Sequence, residues 1–291
     1  GEETNGKAVD ATTTTTTTQK KKKKALKPGG KVALKLTEKE ELSHNSFRLR
    51  FELPSKAHVL GLPVGKHVLI YGRDATNALV ARAYTPVTAD NTPGYVDFVI
   101  KAYRPWLPKF PLGGALSQYL CDRISVGASV DFRGPLGHIE YLGRGSWRVG
   151  GGSRIFENIT KVGMIAGGTG VTPMVQILIN ALRDDEDATV FSLILANQTV
   201  DDILCKTDLE ALLEGGAHKK RFHLHYTVDK KPETEWPYSV GFVGKDVIKT
   251  HLPPASEATL VACCGPPGMI DYACKPNLTA LGHTEDHQLY F

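Results

Sequence analysis

The sequence predicts an antiparallel β-barrel followed by a doubly wound α/β domain built on a parallel sheet. In residues 32–157, apolar residues alternate along short segments separated by Gly and Pro, which is typical of antiparallel strands. In residues 158–291, strand-like and helix-like segments alternate, which implies right-handed crossovers and a parallel sheet. The length of 291 residues also exceeds what one hydrophobic core usually covers, so two domains are expected.

Composition excludes several classes of protein. Apolar residues make up 41% and charged residues 23% of the chain, as in ordinary globular domains. No apolar run reaches the roughly 18 residues of a membrane span, and the polar N-terminus shows no signal peptide. The five cysteines are odd in number and lack a C-x-x-C pair, which favours a reduced compartment over disulfides or zinc. We therefore expect a cytoplasmic protein without a membrane span or a metal site.

The positive charge lies in the N-terminal tail. Residues 1–31 carry eight lysines and three acidic residues, which leaves 27 basic and 28 acidic residues in the rest of the chain. A nucleic-acid-binding domain would concentrate basic residues on a folded face, so no nucleic-acid partner is expected. The Thr/Lys-rich composition predicts a disordered linker over residues 1–31. Two compatible interpretations are a solvated spacer and a hinge to a neighbouring domain, with the lysines steering an acidic partner.

The predicted barrel, residues 32–157, is defined by its strand-like segments. The segments "FRLRFEL" (47–53) and "YVDFVIKAY" (95–103) alternate clearly, and "HVLIYG" and "VDFRG" are further short strands. Turn residues separate them at "LPVG", "TPG" and "GGSR". Several short strands at this spacing favour an antiparallel barrel.

The predicted α/β domain, residues 158–291, has four strand-like and four helix-like segments. The strands are "KVGMIAGG", "TVFSLILAN", "FHLHYTV" and "ATLVACCG". The helices are "MVQILINALR", "TDLEALLEG", the weaker "GKDVIKTHL" and a last region, "MIDYACKPNLTALG". We expect Pro276 to break the last helical region, since proline disrupts a helix interior.

The stretch "GGTGVTPM" (167–174) follows the first of these strands. It departs from the G-x-G-x-x-G dinucleotide fingerprint because Pro173 takes the place of the third glycine. The glycines let backbone N–H groups approach an anion. We expect Thr172 to cap the following helix and Pro173 to begin it, so the helix N-terminus still favours a phosphate. The alternative is a glycine turn without a ligand.

An acidic pair, Asp201 and Asp202, follows the second strand of this domain in "ANQTVDDIL". A carboxylate there could accept hydrogen bonds from ribose hydroxyls and repel a 2′-phosphate, favouring NADH over NADPH. The alternative is that the pair caps the helix that follows.

Two segments of the barrel predict a second nucleotide site. In "RAYTP" (82–86), Arg82 can hold a phosphate, Tyr84 can lie on an aromatic ring and Thr85 can offer its hydroxyl to a ring nitrogen. In "FPLGGALSQYL" (110–120), the glycines at 113–114 lead into a helix start near Ser117. A surface strand explains "RAYTP" equally well. Two diphosphate sites in two domains suggest two nucleotides, one of them a flavin.

The stretch "CCGPPGMI" (263–270) ends the last predicted strand. Ligands of open α/β sheets bind outside the carboxyl ends of the strands, so Cys264 is placed to touch a ligand ring. It is either a buried small side chain, a non-covalent positioning group or a nucleophile. A nucleophile needs an adjacent base, and no motif ties His251 or His283 to Cys264. Cys263, on the opposite face of the strand, is expected in the core.

Taken in order, "RAYTP", "GGALSQ", "GGTGVTPM", "ANQTVDDIL" and "CGPPGM" resemble ferredoxin-reductase-type flavoproteins of the cytochrome b5 reductase branch. The resemblance runs from residue 32 to residue 291. Within the branch, "RAYTP" and "GPLGHIEYLGRGSW" are most similar to the C-terminal FAD/NADH fragment of eukaryotic assimilatory nitrate reductases. "HVLGLPVG", "GMIAGGTG" and "HLPP" are equally similar to stand-alone NADH–cytochrome b5 reductases. The Thr/Lys tail favours the nitrate reductase interpretation, since there the flavin fragment follows a hinge from a haem domain.

The resemblance implies FAD in the barrel and NADH on the α/β domain. It assigns catalytic roles to Thr85, Lys101 and Cys264. It implies contacts with FAD by Arg82, Ala83, Tyr84, Thr85, Val99, Ile100, Lys101, Tyr103, Gly113, Gly114, Leu116, Ser117 and Thr172. It implies contacts with NADH by Gly168, Thr169, Asp202, Cys264, Gly265, Pro266 and Met269.

Three departures from the family pattern concern the details of these sites. Gly268 stands where the family usually has the third proline of "CGPPPM", which loosens that loop. Leu116 replaces a usual Met. "AYRPWLPKF" differs from the usual "VYFK…HPKF" near the adenine half of FAD.

The resulting hypothesis is a flavin-dependent NADH dehydrogenase. It would pass electrons from NADH through FAD to a haem b (cytochrome b5-like) domain on the same full-length chain, as the reductase fragment of nitrate reductase. A stand-alone NADH–cytochrome b5 reductase is the alternative within enzymes. A non-catalytic nucleotide-sensing module on the same fold is the alternative of another class.

Overall fold

A computed structural model describes residues 22–108, 110–214 and 220–291. The first part of the chain forms strands β1–β11. Their bounds are β1 Lys23–Lys24, β2 Lys31–Ser43, β3 Ser46–Glu52, β4 His58–Val59, β5 His67–Arg73, β6 Leu79–Tyr84, β7 Tyr95–Lys101, β8 Ser129–Leu136, β9 Ile139–Gly143, β10 Ser146–Val149 and β11 Arg154–Phe156.

Six of these strands form the predicted antiparallel barrel sheet, in the order β6–β5–β8–β2–β3–β7. In β3, β5 and β8 alternate residues are buried, as the sequence alternation predicts. Phe51, Phe98 and Phe132 come from three different strands and meet with ring centroids 5.0–6.1 Å apart. The two sheet edges are β6, which carries most of "RAYTP", and β7, which carries "VIK". Both segments expected to hold the flavin therefore lie on strands with one unpaired edge.

A short helical segment, Tyr119–Arg123, follows the glycines at 113–114, where the sequence predicted a helix start. The Lys39 ammonium donates hydrogen bonds to the carbonyls of Cys121 (2.7 Å) and Ile124 (2.6 Å). These bonds satisfy carbonyls at the C-terminal end of the segment, which have no partner within it.

The second part of the chain contains six strands and five α-helices among the described residues. The strands are β12 Lys161–Gly167, β13 Val190–Asn197, β14 Phe222–Val228, β15 Ser239–Val240, β16 Thr259–Cys264 and β17 Gln288–Tyr290. The helices are α1 Val171–Leu182, α2 Lys206–Glu214, α3 Lys245–His251, α4 Pro267–Met269 and α5 Lys275–Ala280.

All six strands run parallel, in the order β15–β14–β13–β12–β16–β17, which confirms the predicted doubly wound sheet. Its strands are buried on both faces. Val162 and Met164 of β12 pack in the cluster that contains α1, whereas the next residue, Ile165, points to the other face and packs with residues of α3 and α5. No helix in the described segments is long and apolar enough to cross a membrane.

The last helical region differs from the prediction of a break at Pro276. A π-helical turn, Ile270–Cys274, joins α4 to α5, and Pro276 lies in the first turn of α5. Proline is tolerated there because its missing N–H would have no partner within the helix.

Part of the predicted linker packs on the barrel. Residues 1–21 of the predicted linker lie outside the described residues, but β1 pairs with β4. Ala25 and Leu26 are 4% and 5% exposed and belong to the barrel core. Their backbone N–H groups donate to the carbonyls of Val59 and Leu60. The prediction of disorder up to residue 31 is therefore wrong for these residues, because two apolar side chains in a polar sequence are enough to anchor the segment.

Candidate functional site between the two domains

A cleft of about 1250 Å³ lies between the barrel and the carboxyl ends of the parallel strands. Six predicted site residues line it: Lys101, Tyr103, Gly168, Asp202, Pro266 and Met269. The remaining predicted residues, including Arg82, Thr85, Ser117 and Cys264, do not line this cleft. The cleft thus brings together the Lys101 end of β7, the glycine turn and the loop after β16.

The glycine turn has the geometry expected of a phosphate cradle. Gly168 has φ +53°, and a Cβ at this position would meet nothing within 4 Å, so there is free space beside its backbone for a ligand. A Cβ on Gly170 would instead clash with the carbonyl of Cys264, because the turn packs directly on the end of β16. Helix α1 begins at Val171 without a side-chain cap, so no side chain competes with an anion for its first N–H groups.

The expected helix cap at Thr172 is wrong. Gly170 is the N-cap, and Thr172 lies within the first turn of α1. Its hydroxyl donates to the carbonyl of Thr169 at 3.2 Å. The turn at 168–170 continues directly into the helix, so the helix begins two residues earlier than the proline suggested.

Cys264, the last residue of β16, is half-buried. Burial raises the pKa of its thiol to about 11, so the thiol is protonated at neutral pH. His251 stacks on His225 with ring centroids 3.4 Å apart, and among the hydrogen bonds of the described residues none joins a histidine to Cys264. A nucleophile needs a thiolate or an adjacent base, so the structure argues against a nucleophile. Cys264 packs against the core cluster that contains α1, and its role as a buried small side chain or as a positioning group stays a prediction. Cys263, with 0% exposure, lies in the core as expected.

Lys101 and Asp202 connect the two domains across the cleft. The Lys101 ammonium donates to the Asp202 carboxylate at 2.8 Å, and the Thr199 hydroxyl donates to the other carboxylate oxygen at 2.8 Å. Burial, the largest influence, raises the pKa of Asp202, but the bonds from Lys101 and Thr199 outweigh it and leave the pKa below its usual value. Asp202 is therefore ionised and already engaged by donors of this chain.

A third acidic residue of the cleft, Asp229, was missed by the sequence analysis, which had named Asp201 and Asp202. It follows β14 directly and lines the cleft. Burial raises its pKa, and no donor in the described part of the chain reaches its carboxylate. The signal was available, since Asp229 is the first acidic residue after the strand-like "FHLHYTV" and ligands bind outside the carboxyl ends of strands.

Tyr103 also spans the cleft. Its hydroxyl lies 3.2 Å from the hydroxyl of Thr169, so a predicted flavin contact and a predicted NADH contact meet. Its carbonyl accepts from the N–H of Gly114 at 2.6 Å, and its own N–H donates to the Ser117 hydroxyl at 3.2 Å. The segment around residue 103 therefore connects the cleft to the second glycine pair.

That glycine pair is tightly packed. Gly113 has φ +65°, and a side chain there would meet the backbone of Tyr103 and Pro105. A Cβ on Gly114 would clash with the Ser117 hydroxyl. Leu116 is 1% exposed and belongs to the barrel core, so any contact it makes with a cofactor is through its backbone.

The "RAYTP" segment offers a cation and a ring at the other barrel edge. The Arg82 guanidinium is exposed, and its one bond among the described hydrogen bonds is to the carbonyl of Ala81 at 2.8 Å. It can therefore accept an anion without breaking an ion pair. Tyr84 is half-buried against the barrel core, next to the exposed Ala83 and the half-buried Thr85.

The β7 residues Val99 and Ile100 are 3% and 1% exposed. Ile100 packs in the barrel core and Val99 in the cluster shared with the α/β domain. Their side chains are occupied by packing, so their expected contact with a flavin is through the backbone of this edge strand.

Comparisons with known proteins agree with this two-site arrangement. Residues 33–141 match the family described as "Oxidoreductase FAD-binding domain", and residues 164–275 match "Oxidoreductase NAD-binding domain". The predicted FAD and NAD cofactors are thereby confirmed at the level of the domains.

Individual relatives cover nearly the whole chain. The chain is 46% identical to NADH-cytochrome b5 reductase 3 of Rattus norvegicus, over 91% of this chain and 87% of the relative. It is 46% identical to NADH-cytochrome b5 reductase 2 of Homo sapiens, over 89% of this chain and 94% of the relative. The cytochrome b5 reductase domain of Ulva prolifera nitrate reductase superposes with a TM-score of 0.85 at 39% identity, covering 92% of this chain and 99% of that domain. The chain therefore belongs to the cytochrome b5 reductase family of FAD- and NAD-binding oxidoreductases.

Proposed function

We propose that this protein oxidises NADH and passes the electrons through FAD to the haem b of a cytochrome b5-like domain. The observation that carries the proposal is the cleft in which Lys101 and Tyr103 of the barrel face Gly168, Pro266 and Met269 of the α/β domain. Bound FAD would link NADH, which gives up two electrons together, to a haem that accepts one electron at a time. The protein binds and orients the reactants.

The barrel residues fit the role of holding FAD. Arg82 is an exposed cation that is free to bind a phosphate, and the backbone at Gly113 and Gly114 leaves no room for side chains. Tyr84 would contact the isoalloxazine, and Thr85 would offer its hydroxyl near N5. Ala83, Val99 and Ile100 would complete the site through the backbones of the two edge strands.

The α/β residues fit the role of holding NADH. Gly168 and Thr169 precede the uncapped start of α1, where a diphosphate is favoured by N–H donors and the helix dipole. Pro266 and Met269 pack over Gly167, so that a Cβ there would lie 2.9 Å from Pro266 and 2.8 Å from the Met269 sulfur. This packing closes the loop after β16 against the turn.

Cys264 would position the nicotinamide as a neutral thiol. It stands at the end of β16, immediately before Gly265 and Pro266. Its raised pKa keeps the thiol uncharged at neutral and mildly alkaline pH.

Among the three acidic residues that line the cleft, Asp201, Asp202 and Asp229, we assign the selection of NADH over NADPH to the last two. Asp202 is held by Lys101, whereas Asp229 is open to the cleft. A 2′-phosphate would be repelled by either charge. We propose that Asp229 accepts hydrogen bonds directly from the ribose hydroxyls. Asp202 adds to the repulsion of a 2′-phosphate while it holds Lys101 at the cleft.

Two biological contexts use the same chemistry. The nitrate reductase context is supported by the likeness to the Ulva prolifera domain, of which 99% is covered. The stand-alone context is supported by the higher identity, 46%, to the reductases of rat and human. We retain the proposal of a haem b acceptor for both, with the acceptor on the same full-length chain in the first context and on a separate protein in the second.

The test is an absorption spectrum of the purified protein with and without NADH. We expect bound FAD, bleaching of the flavin band by NADH, and NADH-driven reduction of ferricyanide and of cytochrome b5. A protein that takes up no FAD contradicts the proposal. Binding of both nucleotides without reduction of either acceptor would instead indicate a nucleotide-sensing module.

A further inference from the structure

Tyr272 has the most exposed large apolar side chain among the described residues. It is 85% exposed, and its ring and hydroxyl take part in none of the ring contacts or hydrogen bonds found in the described ranges. Three other aromatic residues of the α/β domain, Phe191, Phe222 and Tyr226, are at most 1% exposed. An exposed ring forgoes the free energy of burial, so Tyr272 contributes little to the packing of the free protein.

The helical segment that carries Tyr272 presents this ring to the cleft. Tyr272 lies in the π-helical turn Ile270–Cys274, and π-helical turns are frequent at functional sites. Cys274, with 0% exposure, packs in the core with residues of α3 and α5. On the exposed surface, Lys275 donates to the carboxylate of Asp271 at 2.7 Å. The Tyr272 side chain joins neither group and lines the cleft instead.

Tyr272 stands one helical turn beyond the residue that packs on the glycine turn. That residue is Met269, since a Cβ on Gly167 would lie 2.8 Å from its sulfur. Side chains three residues apart lie on the same side of a helix, and one turn rises roughly 5 Å. The group attached to a diphosphate on the glycine turn is therefore within reach of the Tyr272 ring.

The surroundings of Tyr272 indicate which half of NADH this group is. The nicotinamide has to face the flavin, which the barrel is expected to hold. Tyr272 belongs to the α/β domain, as do two other residues that line the cleft, the open carboxylate of Asp229 and the 81% exposed Phe242. Val243, next to Phe242, packs in the same cluster as Met269. An aromatic wall beside a carboxylate that accepts from a ribose suits the base attached to that ribose, which is adenine.

We infer that Tyr272 is a binding residue for NADH and stacks on its adenine ring. The inference rests on the proposed function, because it requires NADH in the cleft. The aromatic face supplies the contact, since every base presents a flat ring to such a face, and the hydroxyl is not needed. Tyr272 makes this contact only in the complex, so its loss weakens binding without loosening the free protein.

The experiment measures ADP-ribose binding to the oxidised, FAD-loaded protein by titration calorimetry, together with the melting temperature without nucleotide. Tyr272→Ala removes the ring. We expect about tenfold weaker binding of ADP-ribose, as for the loss of one base–aromatic stack, and an unchanged melting temperature. Tyr272→Phe keeps the ring and is expected to bind ADP-ribose with nearly wild-type affinity.

Steady-state kinetics with ferricyanide show which half of the nucleotide is affected. Reduced nicotinamide mononucleotide lacks the adenosine half of NADH. We therefore expect Tyr272→Ala to lower the ratio of kcat/KM for NADH over the mononucleotide about tenfold. Ile155→Ala is the matched control, since Ile155 is 52% exposed on β11 and does not line the cleft; its affinity, ratio and melting temperature should be those of the wild type.

Three results would overturn the inference. They are wild-type affinity for ADP-ribose in Tyr272→Ala, an equal loss in Tyr272→Phe, and an unchanged ratio of kcat/KM. Slower reduction of cytochrome b5 by Tyr272→Ala at unchanged ADP-ribose affinity would assign the ring to a protein partner and overturn it as well. A wild-type protein that binds FAD but not ADP-ribose would instead contradict the NADH site itself, and the inference with it.

Discussion

The ammonium of Lys101 on the barrel donates a 2.8 Å hydrogen bond to the carboxylate of Asp202 on the α/β domain. Both side chains are largely buried, with 19% and 13% exposure. The pair therefore holds the two domains together at the cleft and keeps a cation facing it. Since the carboxylate is engaged here, its availability to a nucleotide differs from that of Asp229.

This difference predicts how two neutral variants affect nucleotide preference. Asp229→Asn removes the open charge, so we expect the ratio of kcat/KM for NADH over NADPH to fall about tenfold, equivalent to about 1.4 kcal/mol. Asp202→Asn should lower the ratio less, because Lys101 already neutralises that carboxylate. Steady-state kinetics with both nucleotides provide the measurement. An unchanged ratio in Asp202→Asn would reject its part in selection, and an unchanged ratio in Asp229→Asn would reject direct ribose recognition.

A methyl group on Gly170 should disrupt the nucleotide cradle. Its Cβ would clash with the carbonyl of Cys264, so Gly170→Ala must separate the turn from the end of β16. We expect the affinity for NADH to fall at least tenfold and the free energy of unfolding by about 1–3 kcal/mol. Gly30→Ala is the control, since its nearest neighbour would be 3.7 Å away. Equal behaviour of the two variants in calorimetry and urea unfolding would contradict the close packing of the turn.

The raised pKa of Cys264 predicts slow alkylation. A thiol with a pKa of about 11 is almost entirely protonated at pH 8, and the thiolate is the reactive form. Iodoacetamide should therefore label Cys264 slowly at pH 8, and the rate should rise steeply only as the pH approaches 11. Cys264→Ser should lower kcat without abolishing it, because a positioning group is weakened rather than a covalent step lost. Rapid labelling at pH 8, followed by peptide mass spectrometry, would show the thiol to be activated.

The fold was predictable because its pattern is local. The alternation of apolar residues in "FRLRFEL" can be read from a few neighbouring residues, and so can the alternation of strand-like and helix-like segments after residue 158. Both domains have the secondary structure that these patterns predict. The boundary between the linker and the barrel, expected at residue 31, was not predictable, because the burial of Ala25 and Leu26 depends on a strand more than 30 positions away. Composition describes a segment's average, whereas two apolar residues decide where it packs.

The sequence motifs predicted which segments form the candidate site, but not which distant residues contact each other there. Gly168 and Pro266 line the cleft as their motifs indicate. Lys101 and Asp202 are 101 residues apart in sequence, and no local pattern predicts that they meet.

The stacked histidines His225 and His251 predict a loss of stability in mild acid. Burial first, and then the charge of His251, lowers the pKa of His225 to about 4, whereas an unfolded histidine titrates near 6.5. The unfolded state therefore binds more protons below pH 6.5, so the free energy of unfolding should decrease from about pH 6.5 towards pH 4. His225→Gln cannot take up this proton and can still bond to Ser239, which lies 2.8 Å from the ring nitrogen. Urea unfolding at pH 7 and pH 5 should show a smaller decrease in the free energy of unfolding for this variant than for the wild type. The control is His223→Gln, an exposed neighbour on the same strand, which should show the wild-type decrease. Equal decreases in all three proteins would show that the stacked histidines cause no such pH dependence.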